Sequence, residues 1–169
     1  MAKWSFSVGT WTPVAVADAT NFTDSGYMGL MGGSTTQLIN ILEVYMGGQA
    51  GASSPSIMML ARDSTVQATP TALATPNSNG ALHPSTAALA AVPIGFVAST
   101  TKPQRSNSVT LAKLNLSFNA FGGIVRWVAA PYEEFMLLGN TASLGEVSLS
   151  AFTGGTPGLM GAHLVYEPQ

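Results

Sequence analysis

Residues 38–45 read Leu-Ile-Asn-Ile-Leu-Glu-Val-Tyr, the stretch that most clearly indicates how this chain folds. At the period of two that a β-strand imposes, apolar side chains fall on both of its faces. The pattern predicts a strand that is buried on both faces or covered by a neighbour. Residues 46–55 then read as a glycine-rich loop and residues 56–62 as a second strand. We therefore predict that residues 38–45 and 56–62 form a β-hairpin.

The same alternation recurs along the chain, beginning with Trp4, Phe6 and Val8, which alternate with small residues. Glycine- or proline-bearing turns separate the further predicted strands, which cover residues 94–98, 109–118, 124–129, 134–138, 146–152 and 162–166. Helix-forming Glu, Lys, Arg and Gln are scarce. We predict one all-β domain over residues 1–169, a two-sheet β-sandwich of jelly-roll type. A change of phase within 109–118 favours a β-bulge near Ala112 and Lys113 over a strand covered on both faces.

Three segments have an additional or different interpretation. Residues 66–93 read as one long loop rich in Ala, Thr and Pro, with a short helix predicted at 84–91 behind Ser85 as N-cap. This loop either folds over a neighbouring subunit or lies freely on the surface. Residues 1–15 could form an N-terminal arm. Residues 29–33 are not a phosphate-binding loop, because the following Lys-Ser/Thr and a preceding parallel strand are missing, and they read as a flexible stretch before the strand that begins near Leu38.

Charge is sparse. The chain has six Lys and Arg and eight Asp and Glu, so 14 of 169 residues are charged, or 8%. A soluble domain has about 25%. A monomer of this size exposes roughly 7,900 Å², which leaves roughly one charge per 560 Å². Because so few charges poorly oppose association, we expect much of the surface to be covered by copies of the chain or by a larger assembly.

The composition also argues against several functions. A net charge of −2 with scattered basic residues does not fit a nucleic-acid surface. The longest apolar runs are far shorter than the roughly 20 residues of a membrane helix, and no basic amphipathic segment is present. With no cysteine, neither a disulfide nor a thiolate site can form. The first residues lack an apolar signal core, so we predict synthesis in a cytoplasm.

No catalytic or cofactor-binding set stands out. His83 and His163 have no neighbouring ligands for a metal, and we expect His163 to be a hydrogen-bonded strand residue. Glu133 and Glu134 are adjacent, so on a strand they would point to opposite faces. They read as a solvated turn or as inter-subunit ion-pair partners of the arginines at positions 105 and 126. We predict no enzyme, no metal and no cofactor.

Large apolar residues supply the candidate contact surface. The eight methionines could line adaptable contacts or simply fill the core. We expect Met136 in the core, as well as one of Met58 and Met59, with the other meeting a second layer or a subunit. Trp127 is expected in the core or an interface. The full set of candidate interface residues is Trp4, Trp11, Tyr27, Met58, Met59, Leu89, Trp127 and Tyr132.

One region resembles a known class of proteins. Residues 124–138, Ile-Val-Arg-Trp-Val-Ala-Ala-Pro-Tyr-Glu-Glu-Phe-Met-Leu-Leu, the continuation to 150, and Leu-Val-Tyr-Glu-Pro at 164–168 resemble the end of small tailed-phage virion proteins that decorate or cement capsids. The resemblance implies a β-sandwich, often a homotrimer, that binds a major capsid protein lattice and has no active site. Residues 131–138 are also similar to a turn and strand of TNF-like or cupin-like jelly rolls, but the chain lacks the histidine-rich cupin metal motif.

Together these patterns predict a structural virion protein that decorates and stabilises a capsid as a homotrimer. One alternative is a receptor- or glycan-binding tip of a tail fibre or adhesin, for which Trp11, Tyr27, Tyr45 and Tyr132 would form an exposed cluster at one end. Another alternative is a coat protein that assembles into closed particles without a partner.

Overall fold

Two antiparallel β-sheets pack face to face, which confirms the all-β class and the two-sheet sandwich. The computed structural model describes residues 2–15, 27–65, 70–72, 80–99, 104–105, 113–139, 145–152 and 157–169. The strands are β1 Trp4–Trp11, β2 Tyr27–Met31, β3 Leu38–Gly48, β4 Pro55–Thr65, β5 Pro70–Ala72, β6 Gly80–Ala81, β7 Ile94–Ser99, β8 Gln104–Arg105, β9 Lys113–Asn119, β10 Ile124–Val128, β11 Phe135–Leu138, β12 Glu146–Ala151 and β13 Met160–Pro168.

The first sheet has the order β10-β3-β13-β1-β6, and β11 pairs with β3 beside β10. The second sheet has the order β5-β7-β2-β12-β4-β8, and β9 also pairs with β4. Their facing sides form one apolar core that includes Phe6, Ile39, Ile41, Val44, Leu164 and Tyr166 from the first sheet and Met28, Leu30, Met58, Leu60, Val147 and Leu149 from the second. Among the described residues, no helix suited to crossing a membrane is present.

Strand β3 is buried on one face, not on both, because a bulge changes its phase. On β13, the adjacent residues Val165 and Tyr166 pair with Glu43 and Ile41, so Leu42 is left over. Before the bulge Ile41 faces the core, and after it Val44 does. Such an extra residue reverses which side chains point inward. When residues 38–45 are read with a strict period of two, apolar residues fall on both faces of β3, because the bulge at Leu42 is not counted.

The predicted hairpin of residues 38–45 and 56–62 is wrong, since β3 and β4 belong to different sheets. The chain between them is bonded to other loops: Gln49 N–H donates to the Leu159 carbonyl at 2.8 Å, and Ala50 N–H donates to the Ala120 carbonyl at 2.9 Å. These bonds turn the backbone away from β3. The connection is consequently a crossing from one sheet to the other.

Residues 29–31 belong to β2 and not to a flexible stretch. All five residues of β2 are buried, as are all six of β12, with which it pairs. A Cβ at Gly29 would lie 2.3 Å from the Phe96 ring on β7, so glycine lets this ring lie over the strand. The central strands of the second sheet are thus covered on both faces within the chain.

The N-terminal stretch is a sheet strand instead of an arm, because β1 pairs with β13 along its length and with β6 at Trp4 and Ser5. The long loop also contains structure, namely β5 and β6, while residues 66–69 and 73–79 lie outside the described residues. The predicted helix at 84–91 is wrong. There is a single turn, closed by Thr86 N–H donating to the His83 carbonyl, and Ser85 N–H donates to His83 Nδ1.

The remaining strand predictions are confirmed to within a few residues, except at the start of the 109–118 segment. The ladder between β9 and β4 is continuous from Lys113 to Asn119. The bulge predicted near Ala112 and Lys113 cannot be placed, since residues 106–112 lie outside the described residues.

Candidate functional site

The outer face of the first sheet carries a row of exposed apolar side chains along one edge. Strands β10 and β11 follow each other along β3, and their alternation places every second residue outward. Four outward residues are exposed by 39% to 83%, and we call them the edge stripe: Ile124, Val128, Met136 and Leu138. Arg126 is the one polar residue in this row. Apart from Arg126 the row is apolar, and a contiguous exposed apolar patch is typical of surfaces that take part in interactions.

A groove of about 500 Å³ lies beside Ile124 on the same face. Its floor is a row of three glycines on adjacent strands, Gly9 on β1, Gly161 on β13 and Gly47 on β3. We call them the glycine row. Gly161 pairs directly with Gly47, and a Cβ on Gly161 would lie 2.9 Å from the Gly9 carbonyl oxygen.

Neither local conformation nor packing requires glycine at positions 9 and 47. A Cβ at either position would meet no atom within 4 Å, and neither residue has a positive φ. Glycine inside a strand is destabilising by roughly 0.5–1 kcal/mol relative to alanine. Such a glycine often marks a place where a ligand or another backbone approaches closely. Packing therefore requires glycine at position 161, whereas the floor is open at positions 9 and 47 although the fold does not require glycine there.

Aromatic side chains form one wall of the groove, and an ion pair lies beside that wall. The rings of Tyr45 and His163 meet edge to face with centroids 6.0 Å apart, and the Arg126 guanidinium lies 4.9 Å from the centre of the Tyr45 ring. Arg126 donates to Glu43 Oε2 from Nη2 at 2.8 Å and from Nε at 3.3 Å. This hydrogen bond is the main cause that lowers the pKa of Glu43. The wall therefore keeps an ion pair beside an aromatic ring.

The opposite wall is held by Gln49. Its Nε2 donates to the Gly9 carbonyl at 2.7 Å, and Thr10 Oγ1 donates to its Oε1 at 3.3 Å. The turn of Gly122 and Gly123 completes this side. Both walls are thus positioned by hydrogen bonds before any ligand arrives.

His163 is a hydrogen-bonded strand residue, as predicted, since its Nδ1 lies 2.6 Å from Ser7 Oγ. Burial lowers its pKa below the ordinary value of 6.5, and the Glu43 carboxylate opposes this only in part. The unfolded chain therefore binds this proton more readily than the folded chain. The contribution of neutral His163 is complete above pH 6.5 and is lost as the pH falls through the lowered pKa.

We expect the urea midpoint to fall between pH 7 and pH 5, and His163→Gln to flatten this dependence. Glu43 acts in a lower window, because its pKa is lowered from 4.5 and its contribution is lost only as the pH falls further. Urea titrations at half-unit pH steps separate the two. An unchanged slope in His163→Gln would show that His163 does not cause the dependence.

The structure scatters the predicted interface residues. Trp4, Trp11, Tyr27, Met58 and Met59 are all buried inside the chain, so their side chains are not on the surface. Met58 packs in the core between the sheets, while Met59 is buried on the other face of β4.

The other predicted residues lie nearer the surface. Leu89 and Trp127 are partly buried against the core, and Trp127 meets Phe135 edge to face at 5.7 Å. Tyr132 is fully exposed. Met136, expected in the core, is on the outer face, because it pairs with the outward Asn40.

Two further expectations concern charged and aromatic side chains. Arg126 bonds Glu43 in its own chain, and the Arg105 side chain lies outside the described residues, so an inter-subunit ion pair of Glu133 or Glu134 stays a prediction. The exposed aromatic cluster of a binding tip is not formed, since Trp11 and Tyr27 are buried.

Sequence reasoning missed the edge stripe and the glycine row. The stripe could have been read from the alternation of residues 124–128, where arginine shares a face with two apolar residues. The glycine row could not have been predicted from the sequence, because its three glycines are far apart along the chain and become neighbours only when their strands pair.

The site therefore consists of an exposed apolar edge and a preformed groove on one sheet of a β-sandwich. Within the described ranges, no group of three or more His, Asp or Glu side chains is arranged to hold a metal ion. Comparison of the chain with protein-family models, curated proteins and solved structures found no match.

Proposed function

We propose that the protein is a structural component of a larger assembly and that protein covers the outer face of its first sheet. The edge stripe carries this proposal. Strand β10 is the last strand at its side of the sheet among the described residues, so it presents an open backbone edge together with apolar side chains. Soluble proteins normally protect such edges with charge, proline or a covering element.

The sparse charge of the chain supports the same proposal. Along the stripe only Arg126 is charged, and it is already paired with Glu43. A surface with so little repulsion associates when copies or partners meet. Each apolar contact contributes about 25 cal/mol per Å² of buried area, less the cost of association. Such contacts, repeated over a shell, would hold neighbouring subunits together.

We further propose that this assembly is a virion, in which a homotrimer decorates and stabilises the major capsid protein lattice. The support is the resemblance of residues 124–150 and 164–168 to phage capsid decoration proteins. The edge stripe lies within the first of these segments. The region that carries the resemblance thus contains the surface that we propose is covered.

Light scattering after size-exclusion chromatography tests the assembly proposal. We expect a mass that is a multiple of the 17.4 kDa chain and co-sedimentation with emptied capsids. The double variant Ile124→Lys/Val128→Lys should shift the protein to the monomer and abolish co-sedimentation, because it places two charges in the buried contact.

Leu82→Lys/Val92→Lys is a matched control, since both of its residues are similarly exposed but lie outside the stripe. This control should retain the mass of the wild type. A wild-type monomer at 100 µM that ignores capsids would refute the proposal. Closed particles formed without capsids would instead favour the self-assembling coat protein.

A further inference from the structure

Tyr132 combines full exposure with an unfavourable backbone. It is 99% exposed in the turn between β10 and β11, which Glu133 N–H closes by donating to the Ala130 carbonyl at 3.0 Å. Its φ is +70°, the only positive φ of a non-glycine residue in the described part of the chain. A bulky residue in this region is a conformational outlier. Strain of this kind persists where it serves a function.

The chain itself gives Tyr132 no compensation. At 99% exposure the ring contacts almost nothing within its own chain, so no packing offsets the strain or the exposed apolar area. Glycine or asparagine would adopt the same turn at lower free energy. The exposed ring is therefore available to contact another molecule.

The groove offers a complementary site for such a ring. Its glycine row leaves the floor open, and the Tyr45 and His163 rings present an aromatic wall. Aromatic rings pair favourably edge to face or offset, with centroids 4.5–7 Å apart in general. The Arg126 guanidinium, which lies over the Tyr45 ring, donates to Glu43 from Nη2 and Nε only and is 52% exposed, so its remaining N–H groups are open to a second carboxylate such as Glu133, which follows Tyr132 in the turn.

Tyr132 cannot reach the groove of its own chain. The groove borders Ile124 at the start of β10, whereas Tyr132 follows the other end of the strand beyond Val128. At about 3.3 Å per residue, the strand alone separates them by about 13 Å. The edge stripe begins at the groove and extends toward the Tyr132 turn. One partner surface could therefore cover the groove, the stripe and the turn together.

We infer that Tyr132 of one copy inserts into the glycine-floored groove of a second copy. This inference rests on the proposed self-association and specifies its contact. The two sides of the contact differ, so copies join head to tail. Such an arrangement closes into a ring or extends as a filament. A closed ring of three would be the proposed homotrimer.

Two single variants and their mixture test the contact. Tyr132→Gly removes the ring and relieves the positive φ, so the variant keeps its fold. Gly47→Leu fills the groove at a position where a Cβ meets no atom within 4 Å. Each variant alone should associate at least about 30-fold more weakly, as loss of a central anchor residue does. Tyr132→Phe and Gly51→Leu are the controls and should associate like the wild type, since Gly51 is an open glycine outside the groove.

Mixing the two variants should restore one contact. Tyr132→Gly supplies an intact groove and Gly47→Leu an intact tyrosine, so a 1:1 mixture should give a heterodimer of twice 17.4 kDa and no larger species. Sedimentation velocity of each variant and of the mixture measures this, and thermal unfolding confirms that both variants are folded.

The outcomes separate this inference from the proposed function. A wild-type monomer overturns both. A wild-type oligomer that survives both Tyr132→Gly and Gly47→Leu leaves the assembly proposal standing and overturns the Tyr132 contact. Failure of the mixture to form a heterodimer also overturns it. Binding of the wild type to a glycan array that Gly47→Leu abolishes, with no change in mass, would assign the groove to a carbohydrate and overturn the contact.

Discussion

Phe6→Ala is expected to lower the free energy of unfolding by about 3–5 kcal/mol, the usual loss when a buried phenylalanine is truncated. Phe6 is 1% exposed and lies on β1 of the first sheet, where it pairs with Leu164. Its ring reaches the second sheet, because a Cβ at Gly95 on β7 would lie 2.8 Å from Phe6 Cδ2. Alanine would leave a cavity between the sheets that neither sheet can close alone. Urea unfolding followed by tryptophan fluorescence measures the loss.

Phe121→Ala is the matched control, since Phe121 is 57% exposed and should change the stability by less than about 0.5 kcal/mol. Both variants should be measured at one protein concentration, because association adds to the apparent stability. Equal losses in Phe6→Ala and Phe121→Ala would contradict the role assigned to Phe6.

The contact between Phe6 and Gly95 also predicts non-additivity. Gly95→Ala alone should destabilise by about 1–3 kcal/mol through overpacking against the ring. In the Phe6→Ala background the added methyl group enters the cavity, so its effect should largely disappear. The effect of Gly95→Ala in the wild type minus its effect in the Phe6→Ala background is the coupling energy of these two residues, which are in contact across the sandwich. Additive effects would mean that Phe6 does not span the two sheets.

Gly48→Ala is expected to destabilise by about 3 kcal/mol, at the upper end of overpacking effects, whereas Gly47→Ala should be neutral or stabilising by up to about 1 kcal/mol. A Cβ on Gly48 would lie 2.2 Å from the Ala120 carbonyl oxygen, which belongs to backbone and cannot rotate away. Gly48 N–H also donates to the Gly123 carbonyl at 2.8 Å, and this bond joins the end of β3 to the turn between β9 and β10. A Cβ on Gly47 meets no atom within 4 Å.

The two adjacent glycines are thus a matched pair with opposite expected signs. Thermal unfolding of the two alanine variants at the same concentration gives the comparison. A similar loss in both would show that conformational preference, and not the contact with Ala120, dominates at these positions. Gly47→Ala also serves as a check that substitutions in the glycine row leave the fold intact.

The candidate site was predictable only in part. The sequence analysis included Tyr132 among the candidate interface residues and in the possible exposed aromatic cluster. It also led to Trp4, Trp11 and Tyr27, which are core residues. Aromatic side chains serve cores and interfaces equally well. Only burial distinguishes a core aromatic residue from an interface aromatic residue, and burial depends on which other strands pack against the strand that carries it.

The sequence by itself determined the class of the fold, because side-chain alternation and turn residues act over a few positions. The strands beginning at Trp4, Leu38, Ile94 and Ile124 follow from that local pattern. Only the tertiary structure decided which strands pair. Leu42 became a bulge because β13 pairs around it, and residues 29–31 are buried because β12 and β7 flank β2. The glycine row exists only because three strands from distant parts of the chain align, since sheet pairing joins backbones regardless of their separation in sequence.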